Sequence, residues 1–112
     1  MPSENRLHSY FVGRRKSHTV EVYEVTATTV ERLRPRRSRG GQGLDWRGGD
    51  VARMELGRVL ISRTSSRCPS RDLQARFALY VLSRLPESGF VLDSDDVARW
   101  LRVAGDAQVA YE

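Results

Sequence analysis

Apolar and polar residues alternate in the first third of the chain, and apolar residues recur every three to four positions in the last two thirds. Tyr10-Phe11-Val12 runs into the basic turn Gly13-Arg14-Arg15-Lys16, which predicts a strand. Residues 19–25 are β-branched and aromatic, with clean alternation from Thr19 to Tyr23. Residues 28–33 predict a third strand. The connector around Ala27 holds no Gly or Asn, so no tight hairpin turn is read there. An antiparallel meander that ends at Pro35 is the simplest arrangement.

Residues 35–49 form a long loop rich in Gly and Arg, of the kind that is usually functional or mobile in a compact domain. Beyond it the period lengthens. Asp50 is read as the cap of a helix running to about Arg63, with Ala52, Leu56, Val59 and Leu60 as its apolar stripe. Gly57 within it weakens the helix and suits close packing. A second helix is expected from about Ser70 to Leu85, stopped by Pro86, with Leu73, Phe77, Tyr80, Val81 and Leu85 on its core face. Phe90-Val91-Leu92 reads as a short extended piece. Asp93, Asp95 and Asp96 open a third helix, with Val97, Trp100, Leu101 and Ala104 on one side and Gly105 at its end. Strands followed by helices argue for an α+β domain: about three antiparallel strands, then three helices packed on one face.

The 112 residues suit one domain, with residues 1–7 and 106–112 as loose tails. A hydrophobic share of 39% is that of an ordinary globular chain. The single cysteine, Cys68, excludes an intramolecular disulfide and a cysteine zinc site. No apolar run approaches a membrane span and no signal peptide is read at the N-terminus, so a cytoplasmic setting is expected.

Charge changes the picture more. Residues 1–49 hold ten Lys and Arg against five Asp and Glu, whereas residues 50–112 hold nine of each, so the whole net charge of +5 sits in the first half. Between residues 32 and 47, Arg32, Arg34, Arg36, Arg37, Arg39 and Arg47 face only Asp45. Arginine suits bidentate contacts to phosphate and carboxylate.

The order of landmarks resembles a family of small bacterial and phage proteins of unknown function. The residues that carry it are Tyr-Phe-Val-Gly-Arg at 10–14, Leu44-Asp45-Trp46, Gly48-Gly49, Met54-Glu55-Leu56-Gly57, Phe77, Leu85-Pro86, Phe90 and Trp100, spread over residues 9–101. The chain departs from the family pattern in a shorter Gly-rich stretch and in Arg58, where an apolar residue is usual. The resemblance implies a mobile-element or accessory setting and supplies no activity, cofactor or catalytic residue.

The basic loop with Trp46 is the leading candidate site, because arginines neutralise phosphates and an exposed tryptophan stacks on bases. Arg14, Arg15 and Lys16 extend the patch if the sheet edge lies beside the loop. The competing reading folds Trp46 down as an anchor for the first helix. A phosphate-loop reading of Gly40-Gly41-Gln42-Gly43 and Gly48-Gly49 fails, since no Gly-Lys-Ser/Thr follows and Asp50 sets a carboxylate where a phosphate would sit. The aspartates at 93, 95 and 96 read as helix caps. His8 and His18 read as surface histidines that lack third and fourth metal ligands, and Cys68 as an inert helix-entry thiol. Arg71, Arg76 and Arg84 flank Phe77 and Tyr80, which leaves that helix face open as a docking surface.

The expectation is a non-enzymatic module, without cofactor or metal. It would contact nucleic acid or a nucleoprotein through Arg14, Arg15, Lys16, Arg34, Arg36, Arg37, Arg39, Trp46 and Arg47. The alternative is a protein–protein module, such as a phage or mobile-element regulator or inhibitor of a host complex, whose arginines meet an acidic surface. Self-association into a homodimer is open to a chain of this size.

Overall fold

The computed structural model describes residues 8–17, 19–35 and 44–109, the last five for backbone only. Four antiparallel strands form one sheet: β1 Tyr10–Lys16, β2 Thr19–Val25, β3 Val30–Arg32 and β4 Gly89–Asp93, in the order β3-β2-β1-β4. Three helices complete the chain: α1 Asp50–Ser65, α2 Arg71–Tyr80 and α3 Ser94–Val109. The α+β class holds. The meander gains a fourth strand, because the extended piece around Phe90 returns to pair with β1 and makes β1 an inner strand beside β2.

Turn chemistry explains the meander. Lys16 pairs with Thr19, leaving a two-residue connection in which Ser17 takes the left-handed φ of 42° that tight hairpins require. The β2–β3 connection is looser, since Val25 pairs with Val30. Thr26 closes it without Gly or Asn: its Oγ1 accepts from the backbone N–H groups of Thr28 and Thr29, and its own N–H donates to Thr29 O.

Strand alternation sorts side chains onto two faces. Phe11, Val22 and Phe90 point inward and join Leu56, Leu60, Ile61, Phe77, Leu82 and Val97 in one core. Gly13 also faces in. A Cβ there would lie 2.2 Å from the ring of Phe90 on the neighbouring strand, so the ring covers the gap that glycine leaves. The Arg63 guanidinium on α1 donates to Glu24 on β2 at 2.8 Å and to Glu31 on β3, laying α1 across the inner face. Ser94 at the start of α3 exchanges hydrogen bonds with Ser9 just before β1.

Helix boundaries depart from the sequence pattern at three points. Asp50 is the first residue of α1 and pairs with Arg53. Gly49, at φ 130°, occupies the cap position without a side-chain bond. The second helix ends at Tyr80, and a 3-10 turn over Leu82–Arg84 follows. That change of period carries Leu82 into the core and leaves Tyr80 51% exposed, so Tyr80 is a surface residue and not a core one. The third helix runs through Gly105, which lowers helix propensity without breaking the backbone ladder. Its cap is as expected: Asp93 Oδ1 accepts from Asp95 N at 2.8 Å. Gly57 lies against α2, with Phe77 3.4 Å from where a Cβ would be. No helix among the described residues is long and apolar enough to cross a membrane.

Candidate nucleic-acid interface

The expected site divides into three groups. Arg36, Arg37 and Arg39 lie outside the described residues, as do His18 and the Gly40–Gly43 run. Trp46 is buried and Arg15 half-buried at the border of the core, whereas Arg47 is exposed and bonded to a backbone carbonyl. Trp46 is fully buried, its Nε1–H donating to Pro86 O at 2.8 Å and its ring packed edge-on against Phe90 at 4.8 Å. It is therefore a structural anchor and offers no face for stacking on a base. The cause is the return of β4, which brings Phe90 and the Pro86 carbonyl to the loop exit. Arg15 alternates inward, sits 5.1 Å from the Trp46 ring, and is held by Asp45 at 2.9 Å and Glu87 O at 3.0 Å. Arg47 donates to Ser83 O at 3.1 Å. These side chains tie the end of the long loop to the β4 approach.

Arg14 and Lys16 remain, with Arg34 exposed just past β3. Cross-strand register assembles the outer face in rows. Val30, Val25, Tyr10 and Asp93 make one row, Arg32, Tyr23, Val12 and Val91 the next, and Glu21 pairs with Arg14 in the third. Lys16 and Thr19 close it at the hairpin. Among the described residues nothing buries this face: Val91 is 69%, Val30 68% and Tyr10 42% exposed.

Glu21 reports how the cations are placed. Its carboxyl is held below the ordinary value, first by the hydrogen bond from Tyr23 Oη at 2.9 Å and then by the nearby charges of Arg32, Lys16 and Arg14. The same bond raises the Tyr23 phenol above its ordinary value. By register Arg14 lies directly opposite Glu21, with Lys16 and Arg32 at its diagonals. Arg14, Lys16, Arg32 and Arg34 make no side-chain hydrogen bond to another described residue. By contrast Arg53, Arg58, Arg63, Arg76 and Arg99 each pair with a carboxylate. Arg67, Arg71, Arg84 and Arg102 also pair with no carboxylate among the described residues, but they are spread over the linker, α2, the 3-10 turn and α3, whereas Arg14, Lys16 and Arg32 share one face of the sheet.

Tyr10, Tyr23 and Arg32 were not among the expected site residues. The period-two spacing of Tyr10, Val12, Arg14 and Lys16 is the signal that groups them, once the covered face is known.

The opposite corner of the face is acidic. His8 approaches Asp93 at 3.3 Å through Nε2 and Asp95 at 3.1 Å through Nδ1, and its ring meets Tyr10 edge-on at 4.9 Å. These three residues could gather around an ion. As they stand, each ring nitrogen already faces a carboxylate and Asp93 caps α3, so the group works as a polar clasp between the segment before β1 and the start of α3. Cys68 is exposed in the linker before α2.

Comparison of the chain with protein-family models, curated proteins and solved structures found no match, so the function of this face is argued from its own residues.

Proposed function

We propose that this chain is a non-enzymatic binding module that contacts nucleic acid, free or within a nucleoprotein, through the open face of its sheet. The observation that carries the reading is the convergence of Arg14, Lys16 and Arg32 around Glu21 on a face that the helices leave uncovered. Arg34 is exposed just past β3, and in the sequence three more arginines follow it at 36, 37 and 39. Such cations displace the counterions of a phosphate backbone.

The test is a fluorescence-anisotropy titration of labelled oligonucleotides at several salt concentrations. Three phosphate contacts predict a log–log slope of about −2 to −3. Affinity no better than millimolar at low salt, or a flat salt response, would discard the proposal.

A second reading, a protein–protein module that regulates a host complex, is favoured by the valines at the centre of the same face. An acidic partner would then meet the arginines. A partner retained by the immobilised chain after nuclease treatment of a lysate, together with flat oligonucleotide titrations, would support that reading instead.

A further inference from the structure

Resting on the nucleic-acid reading, we infer that the strand this face takes is single, with bases laid on Tyr10 and Tyr23 and phosphates held by Arg14, Lys16 and Arg32. A duplex offers the protein a charged exterior, and its base faces are hidden within the stack. A patch that holds a duplex by its phosphates relies on cations, whereas stacked bases offer no open face to an aromatic ring. Here the centre is apolar: Val12, Val25, Val30 and Val91 surround two tyrosines, and the cations lie to one side. Unstacked bases are the nucleic-acid surface that matches aromatic rings and valines beside a cationic border.

The rings are placed for it. Tyr10 pairs with Val25 and Tyr23 with Val12, so the two tyrosines are diagonal neighbours on adjacent strands, roughly 7–8 Å apart at the backbone. Each is oriented by a partner: Tyr23 donates its hydroxyl to Glu21, and Tyr10 packs against the His8 imidazole. The charge is also polarised. Asp93 and Asp95 lie at the Tyr10 corner, Arg14 and Lys16 toward the hairpin, and Arg32 on the edge strand beside Tyr23. Phosphates are therefore drawn toward the hairpin, and the bases extend over the tyrosines toward the acidic corner. DNA and RNA share this chemistry, so the two sugars are arms of the test.

The experiment titrates the whole chain with labelled oligothymidylate and oligouridylate of about 12 nucleotides, and with a duplex of equal length. Expected is tighter binding of at least one single strand than of the duplex. Tyr10→Ala and Tyr23→Ala should each lower single-strand affinity by about fivefold or more and leave duplex affinity unchanged. Tyr23→Phe, which keeps the ring and loses the hydroxyl, should retain it. Circular dichroism checks that each variant is folded. Equal affinity for duplex and single strand, or alanine variants that bind like the parent, overturns this inference and leaves the broader nucleic-acid reading standing. Absence of binding to every oligonucleotide overturns both. So does a dimer in sedimentation velocity that Tyr10→Ala dissociates while the parent binds no oligonucleotide, since the face would then be closed by a second copy.

Discussion

At the scale of single residues, Glu21 and Trp46 carry opposite lessons. Glu21 lies directly opposite Arg14 and diagonal to Lys16 and Arg32, so removing its charge should strengthen anion binding. Glu21→Gln is expected to raise oligonucleotide affinity severalfold and to steepen its salt dependence, read by the same anisotropy titration. Its effect on stability has the opposite sign. The folded-state carboxyl is held below its ordinary value of 4.5, so the charged form favours folding above that pH. The contribution fades as pH falls through the lowered folded value. Urea unfolding at pH 6 and at pH 3 should show the parent more stable than Glu21→Gln at the higher pH, with the difference shrinking at the lower. Trp46 belongs to the core, and its loss should be felt in stability before binding. Trp46→Ala should cost about 3–5 kcal/mol in urea unfolding. At temperatures where the variant remains folded it should still bind oligonucleotide, because its indole never reaches the outer face.

At the scale of elements, the packing of α1 on the sheet leaves the opposite face open. Leu56, Leu60 and Ile61 of α1 share one core with Phe11 and Val22 of the sheet. Arg63 adds direction by bridging Glu24 and Glu31 on adjacent strands. The pair is about a third exposed on the arginine side, so solvent screens it. Arg63→Gln is expected to cost about 1 kcal/mol or less at low ionic strength and to cost less in high salt, as measured by paired denaturation curves. Element type was legible where the local period is strong. The strand at Thr19–Val25, the α1 stripe and the aspartate cap of α3 all follow from spacing; β1 instead runs on through Gly13-Arg14-Arg15-Lys16, read from the sequence as a basic turn, because β2 and β4 pair with it on both sides. The break between Tyr80 and the 3-10 turn was not legible, because the spacing of Leu73, Phe77, Tyr80, Val81 and Leu85 fits one helix in isolation. The shift of period answers to the space between α1 and α3, where Phe77 meets Trp100 and Leu82 is fully buried.

At the scale of the whole molecule, position matters more than the +5 total. Replacing Arg14, Lys16 and Arg32 together with glutamine lowers the net charge to +2, and so does replacing the exposed Arg67, Arg71 and Arg102. If the outer face is the binding surface, the first set should flatten the salt slope by about 2–3. The second should leave it almost unchanged. Equal effects would mean that net charge alone draws the anion.

The chain by itself determined which segments extend and which coil, because the spacing of apolar residues acts over a few neighbours. It also determined that the charge excess lies in the first half. Period-two alternation states that each strand has two faces, and is silent on which one will be covered. That choice waited for contacts between distant segments. Residues 89–93 return to pair with β1, Phe90 and Pro86 draw Trp46 and Arg15 inward, and α1 settles across Glu24 and Glu31. The surface left to Tyr10, Tyr23, Arg14, Lys16 and Arg32 is what remains once those long-range contacts are made.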